Sequence, residues 1–410
     1  MKALFLMPPF SVHAERRNWH MLEEFYNPDG IFELVYLISL DEQRTDLPKE
    51  IGSLTIYSVR GFRSRNWALV FGSRFFSILN PIAKLVRRIA VENNIDVLVQ
   101  RYGGPLKHGV PIVWAARSLG LPSVITLQND YGEQLKAHYG PIRRLFINAF
   151  NYAAWKMVMD DSTIIWAVSE FLGGAAVEKG VPAVKVRVIP NKDSIGRFNQ
   201  ESSRLEETEL FDRLGLSDWS DRKMMFLAVG RLIPQKNYTT VLDAFKNVIA
   251  NHPQAVLVIV GQGELEQLLI KRMRENGLGK NARIIKDYLS SKELAVLYRK
   301  SVALVFCSLF EGQGRVVYEA MATGTPVIGS NVGPIPEMIK HNKNGLLVDP
   351  FDIDQIALSI EEFCVGNITK EELSEFCRDT ADEYDLAVIN PREVDLYKEA
   401  IARHKANVSA

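Results

Sequence analysis

Short apolar runs alternate with amphipathic stretches along most of this chain. Most runs are continuously apolar, which is typical of strands buried on both faces of a parallel sheet. The runs predicted as strands are 3–7, 32–39, 54–59, 97–102, 123–128, 163–168, 186–190, 224–230, 255–260, 282–286, 302–307, 325–329 and 346–348.

Helical patterns lie between these runs. An apolar stripe at helical spacing occupies 241–249, and Ser290 with Glu293 matches a capping box at the start of another helix. Strand–helix alternation repeated this often predicts a parallel α/β fold with right-handed crossovers.

The predicted strands are too many for one compact twisted sheet, so we expect two Rossmann-like parallel-sheet domains. The stretch 199–221 is polar, acidic and without a strand, which places the boundary there. The predicted domains are 1–199 and 200–389, with a final helix at 390–410 that begins at Pro391 and completes the first domain. Ligands bind outside the carboxyl ends of such strands, so two facing sheets predict a central cleft.

Composition narrows the class of protein. Of 410 residues, 47% are hydrophobic and 24% are charged, as in an ordinary soluble protein. The 49 basic and 49 acidic residues cancel, so net charge gives no reason to expect a nucleic acid partner. Three cysteines exclude a disulfide scaffold and fit a reducing compartment. No run reaches the length of a membrane span and the first is short for a signal peptide, so we expect a cytoplasmic protein.

The richest motif follows the predicted strand that ends at Cys307. Gly312 and Gly314 allow a tight turn and close approach of the backbone to a ligand, and a helix then starts whose free N–H groups suit a phosphate. Glu311 and Glu319 flank this turn, and carboxylates there accept hydrogen bonds from sugar hydroxyls.

A second motif follows the strand that ends at Gly230. Arg231 and Lys236 stand in the loop before the next helix, where a guanidinium fork and an ammonium together suit a pyrophosphate. The glycines of Gly261-Gln-Gly263 lack the third glycine of a dinucleotide fingerprint, so we interpret them as a turn after a strand.

Together these segments resemble retaining glycosyltransferase family 4, of GT-B architecture. The segments that carry the resemblance are Gly230-Arg231…Lys236, Gly261-Gln-Gly263, Glu311-x7-Glu319, Gly333-x-x-Pro336-Glu337, Asn344-Gly345…Asp349-Pro350, Ala167-Val168-Ser169-Glu170 and Val188-Ile189-Pro190-Asn191. The resemblance is dense from 164 to 350 and thinner before that.

The resemblance implies roles for the matched residues in a nucleotide-sugar donor site. Arg231 and Lys236 would hold the diphosphate and stabilise the leaving group, Glu311 would bind the transferred sugar, and Glu319 would bind the ribose. The resemblance also implies donor contacts by Gly230, by Gly312 and by the backbone amides of Gln313, Gly314 and Arg315. The family works without metal and no Asp-x-Asp signature ends a strand here, so no metal or cofactor is expected.

The first half departs from the family at three places. Val12-His13 stands where relatives have a glycine pair near the donor phosphate, and Gln128 stands where they have a histidine. Lys192-Asp193-Ser194 follows Asn191 where relatives show Gly-x-Asp. His13, Gln128, Asn129 and Asp130 are therefore the candidates for contacts with the sugar or the acceptor.

Basic residues concentrate in two segments of the first domain. The segment 51–91 contains no Asp or Glu, and basic and aromatic side chains alternate in it and in 134–159. Such segments suit an anionic membrane surface or a lipid-pyrophosphate acceptor. The alternative is core aromatics beneath a solvated basic rim.

These features predict a metal-independent retaining glycosyltransferase that moves a hexose-type sugar from a nucleoside-diphosphate sugar, with UDP favoured and GDP or ADP open. The expected acceptor is a glycan or lipid-linked oligosaccharide of the cell surface, reached from the inner face of the plasma membrane. The alternatives are a GT-B sugar-nucleotide epimerase, a pyridoxal-dependent phosphorylase, or a non-catalytic sugar-nucleotide-binding protein.

Overall fold

The structure is a computed structural model that describes residues 1–7, 20–39, 50–58, 73–101, 108–129, 152, 154–199, 202, 204–219 and 224–409. Its strands are β1 (Lys2–Met7), β2 (Leu34–Ser39), β3 (Glu50–Ile51), β4 (Leu54–Ser58), β5 (Val97–Gln100), β6 (Ser123–Leu127), β7 (Ile164–Ala167), β8 (Val186–Val188), β9 (Met225–Val229), β10 (Val256–Val260), β11 (Ala282–Ile285), β12 (Ala303–Phe306), β13 (Val327–Ser330) and β14 (Gly345–Val348). Its α-helices are α1 (His20–Tyr26), α2 (Ser73–Glu92), α3 (Val110–Leu119), α4 (Glu170–Glu178), α5 (Arg204–Arg213), α6 (Tyr238–Asn251), α7 (Glu266–Glu275), α8 (Ser291–Lys300), α9 (Arg315–Ala322), α10 (Ile335–Met338), α11 (Ile353–Val365), α12 (Lys370–Asp382) and α13 (Leu386–Ser409).

Every apolar run predicted as a strand contains one. Strand β10 is apolar at all of its positions and buried along its whole length, as expected of a strand covered on both faces. The capping box before α8 also forms, because the Ser290 hydroxyl accepts from the Glu293 N–H while the Glu293 carboxylate accepts from the Ser290 N–H. The added strand, β3, pairs antiparallel with β4 at the sheet edge.

The chain divides into two compact units, which we call unit 1 (Met1–Pro190 with Ile389–Ala410) and unit 2 (Asn191–Val388). The division lies earlier than the predicted boundary between 199 and 200. The reason is packing, since Ile195 and Phe198, followed by Leu210 and Phe211 of α5, belong to the hydrophobic core of unit 2.

Unit 1 is built on an eight-stranded sheet of order β3-β4-β2-β1-β5-β6-β7-β8. Helix α13 packs on it through Leu396, Tyr397 and Ala400. A fully buried ion pair joins Arg101, directly after β5, to Glu393 of α13 through two contacts of 2.9 Å. These contacts fasten the C-terminal helix to the sheet.

The C-terminal helix corrects one prediction. The sequence predicted a start at Pro391, whereas α13 begins at Leu386 and contains Pro391. Asp385 accounts for the earlier start, because its carboxylate accepts from the Ala387 N–H at 2.9 Å and caps the first turn. Pro391 is the sixth residue of this helix, where its missing N–H removes the hydrogen bond that would reach the Ala387 carbonyl.

Unit 2 is built on a six-stranded sheet of order β11-β10-β9-β12-β13-β14, with all neighbouring strands parallel. The predicted α/β class with two parallel-sheet domains is confirmed.

Candidate functional site

The candidate site lies where the strand order of unit 2 reverses. From β9 the chain proceeds outward to β10 and β11, and it then returns to β12, which pairs with the other edge of β9. Parallel α/β sheets bind ligands outside the carboxyl ends of the strands at such a switch point. The loops after β9 and β12 carry the residues that the sequence assigned to the donor.

Two predicted donor residues meet at this point. Lys236 ends the short 3-10 helix Pro234–Lys236, and its Nζ lies 2.5 Å from Oε1 of Glu311. The side chains of Lys236 and Glu311 are 14% and 9% exposed. The Lys236 Nζ also lies 5.0 Å from the ring centroid of Phe306. A partly buried ammonium and carboxylate therefore stand together, suited to a phosphate and to sugar hydroxyls.

Backbone contacts hold the two loops side by side. The Gln235 side chain donates to the Phe310 carbonyl at 2.8 Å, and the Leu309 N–H donates to the Gln235 carbonyl at 2.9 Å. These bonds fix the distance between the residues that precede Lys236 and Glu311. Arg231, in contrast, is exposed and forms no ion pair with the residues that the structure describes.

The glycines of the neighbouring loop have a structural explanation. A Cβ atom on Gly261 would overlap the carbonyl oxygen of Gly230, and one on Gly263 would overlap that of Leu232. The backbone between Gly230 and Leu232 is also bonded to this loop, since the Leu232 N–H donates to the Gln262 carbonyl at 2.9 Å. The Gly261-Gln-Gly263 turn therefore supports the loop that carries Arg231.

The loop after β12 leads directly into a helix start. Gly314 has φ 95°, a conformation that favours glycine, and α9 begins at the next residue. A Cβ atom on Gly314 would lie 3.0 Å from Cζ of Phe306, so the position is also tight. The first N–H groups of an eight-residue helix are thus presented at the switch point, where they favour an anion.

The side chains of Gln313 and Arg315 are engaged elsewhere in unit 2. Gln313 accepts from the Asn191 N–H at 2.7 Å and donates to the Asn191 carbonyl at 3.4 Å. Arg315 lies 2.5 Å from the buried carboxylate of Asp193. We call residues 191–193 the crossover segment, because there the chain enters unit 2. Both side chains thus contact the crossover segment.

Glu319 lies on α9 and is partly buried. The hydroxyl of Tyr298 donates to its Oε2 at 3.3 Å. Burial, reinforced by the Glu319 charge, raises the pKa of Tyr298 well above its usual value, so this hydroxyl keeps its proton. Sequence reasoning missed Tyr298, which occurs within the apolar stripe of α8 and reads as a core residue.

The candidates in the first half are only partly described. Gln128 is buried and Asn129 is partly buried, both directly after β6 in unit 1. His13 and Asp130 lie outside the described residues, as do residues 59–72 of the basic segment 51–91 and residues 134–151 and 153 of the segment 134–159. On α2, Lys84 and Arg88 are exposed and Arg87 is partly buried.

The described residues lack two features, a membrane-spanning helix and a cluster of metal ligands. No helix among them combines the length and the hydropathy needed to cross a membrane. No group of three or more His, Cys, Asp or Glu side chains in the described ranges is arranged to hold a metal ion.

Two family models match the chain. The model for "Glycosyl transferases group 1" matches residues 217–380, and the model for "Glycosyl transferase 4-like domain" matches residues 50–192.

Curated relatives match over part of their length. An uncharacterised glycosyltransferase of Methanocaldococcus jannaschii is 31% identical over 54% of this chain and 55% of its own. The GDP-mannose-dependent alpha-(1-6)-phosphatidylinositol monomannoside mannosyltransferase of Mycobacterium tuberculosis is 25% identical over 68% of this chain and 69% of its own. The match with the first of these relatives thus spans about half of that protein.

A solved structure matches almost end to end. The crystal structure of Anabaena HepE in complex with UDP has a TM-score of 0.75 and 18% identity, over 97% of this chain and 100% of that one. At this identity the likeness shows a shared fold.

Proposed function

We propose a sugar-transfer function for this chain, which belongs to the glycosyltransferases that the two family models describe. In this proposal it moves a hexose-type sugar from a nucleoside-diphosphate sugar to a glycan or lipid-linked acceptor. The observation that carries the proposal is the pairing of Lys236 with Glu311 at the strand-order reversal, beside the start of α9.

The proposed mechanism places positive charge on the diphosphate. Lys236, Arg231 and the first N–H groups of α9 would stabilise the charge that develops on the leaving phosphate, the role that a metal ion has in other transferases. Glu311 would accept hydrogen bonds from the transferred sugar, and Glu319, oriented by Tyr298, from the ribose. We propose retention by front-face attack, in which the departing phosphate takes the acceptor proton and no carboxylate nucleophile is needed.

We propose UDP as the nucleotide of the sugar donor. Anabaena HepE was crystallised with UDP, which supports a uridine nucleotide, whereas the mycobacterial mannosyltransferase depends on GDP-mannose. The two nucleotides present the same diphosphate to Lys236, so the base must be distinguished by experiment.

For the acceptor we propose a molecule at an anionic membrane surface. The exposed side chains of Lys84 and Arg88 on α2 support this, because basic residues on a helix face are attracted to anionic lipids. Sedimentation with vesicles of phosphatidylglycerol and phosphatidylcholine, before and after Lys84→Glu with Arg88→Glu, tests the membrane part separately.

The decisive experiment is a thermal-shift titration with UDP, GDP, ADP and CMP, without and with magnesium. A nucleotide at 100 times its Kd should add about 2.7 kcal/mol of stability. We expect one diphosphate to stabilise the wild type without magnesium, and Arg231→Ala and Glu319→Ala to lose most of that shift. Arg274→Ala, on the exposed surface of α7, is the matched control.

Two outcomes would count against the proposal. If no nucleotide stabilises the wild type, the donor site is not functional as described. If binding is normal but no sugar is transferred or released from any UDP- or GDP-sugar, the protein binds sugar nucleotides without catalysis.

A further inference from the structure

Tyr238, the first residue of α6, has a buried hydroxyl beside the donor site. The residue is 3% exposed, and its hydroxyl has no hydrogen-bond partner within the described part of the chain. A buried hydroxyl without a partner is costly, so such a group calls for an explanation.

The position of this hydroxyl is defined by Gly230. A Cβ atom placed on Gly230 would lie 3.0 Å from Oη of Tyr238 and 3.2 Å from Cε of Lys236. The Tyr238 hydroxyl and the Lys236 side chain therefore converge on the same side of Gly230. The Lys236 ammonium in turn contacts Glu311 at 2.5 Å, which brings the tyrosine next to the ion pair.

The hydroxyl remains a proton donor at this place. Burial raises the pKa of Tyr238, and the Glu311 carboxylate raises it further. A proton donor without a partner among the described residues thus lies near the ion pair, in which the only described hydrogen bond of the Glu311 carboxylate comes from Lys236.

Donor binding changes the hydrogen-bond partners that are available to Glu311 and Tyr238. Under the proposed function, on which this inference rests, the diphosphate attracts Lys236 and withdraws it from Glu311. A carboxylate that is 9% exposed would then be left without a donor, which is strongly unfavourable. We propose that Tyr238 is a positioning residue for Glu311, because its hydroxyl donates to the carboxylate once Lys236 turns to the diphosphate.

A ligand-free mutant cycle tests this exchange. Lys236→Met removes the ammonium as the diphosphate is proposed to do, and Tyr238→Phe removes only the hydroxyl. In the wild-type background Tyr238→Phe should leave the folding equilibrium constant unchanged or raise it, because it deletes a buried hydroxyl that has no partner among the described residues. In the Lys236→Met background the same substitution should lower that constant by about tenfold or more, because a hydrogen bond to a charged group is lost.

Two controls separate this role from simple packing. Tyr397→Phe, a buried tyrosine of unit 1, should cost the same in both backgrounds. When Glu311→Ala is added to Lys236→Met, the effect of Tyr238→Phe on the folding equilibrium constant should return to the effect seen in the wild-type background, because the accepting carboxylate has been removed. Urea unfolding followed by tryptophan fluorescence measures each variant. Equal costs of Tyr238→Phe in all backgrounds would overturn the proposal.

Nucleotide titrations complete the test. Tyr238→Phe should weaken the binding of UDP or GDP by about tenfold, while Tyr397→Phe leaves it unchanged. If neither nucleotide binds the wild type, the proposed function fails and the unfolding cycle still decides the role of Tyr238. If the wild type binds and Tyr238→Phe binds equally well, the function stands and the role of Tyr238 is refuted.

Discussion

Replacing Gly261 by alanine tests whether the glycine turn after β10 supports the donor loop. The new Cβ would lie 3.0 Å from the carbonyl carbon of Gly230 and would overlap its oxygen. Carbon atoms in contact lie about 3.5–4.0 Å apart, so the two loops would have to separate by about 1 Å. A displacement of that size near a reacting centre costs on the order of 100-fold in rate, and crowding of this kind costs about 1–3 kcal/mol of stability.

The assay compares Gly261→Ala with Gly279→Ala, which adds the same methyl group in unit 2 where no atom lies within 4 Å. Gly261→Ala should lower the melting temperature and abolish most of the thermal shift produced by the stabilising nucleotide, whereas Gly279→Ala should leave that shift unchanged. If both variants bind nucleotide like the wild type, the glycine turn does not position the Arg231 loop and our explanation of the motif is incorrect.

Two further predictions concern stability. Glu393→Gln should cost about 3–5 kcal/mol in urea unfolding, because it leaves the guanidinium of Arg101 buried without its counter-charge; Glu399→Gln, which breaks a part-exposed pair on the same helix, should cost at most about 1 kcal/mol. Burial raises the pKa of the Cys307 thiol to about 12. The protonated thiol therefore makes its full contribution to the free energy of unfolding below about pH 9, and this contribution is lost as the pH rises toward 12. The unfolding free energy should fall more steeply between pH 9 and 10.5 in the wild type than in Cys307→Ala, by about 1.4 kcal/mol per pH unit, and equal slopes would contradict the assignment.

The sheets were predictable because strands that are buried on both faces form continuously apolar runs in the sequence. Runs such as that of β10 contain no polar residue, and each became a strand. Strand β3 does not form such an apolar run, because it has two residues and one of them is exposed. The start of α13 was also missed, because the capping carboxylate of Asp385 outweighed the proline signal.

The ligand-facing part of the site was less predictable than the fold. Glu311 and Lys236 follow strand ends, and the structure brings them together. Tyr298 and Tyr238 were not predicted, because in a sequence a tyrosine within an apolar helix stripe is indistinguishable from a core residue. Only the position of each hydroxyl separates them from the core, since one is bonded to Glu319 and the other has no partner among the described residues.

The Gln313 side chain has a structural role that the motif did not predict. Both polar atoms of its side chain are hydrogen-bonded to the backbone of Asn191, without any ligand. Using that side chain on a sugar would first require breaking these two buried bonds and leaving the Asn191 N–H unpaired, which costs about 1–3 kcal/mol. We therefore expect the Gln313 side chain to take no part in discrimination among sugars, and Glu311 with the backbone N–H groups at the start of α9 to supply the sugar contacts of unit 2 in the proposed reaction. The Gln313 and Arg315 side chains instead hold that helix start against the crossover segment before any donor arrives.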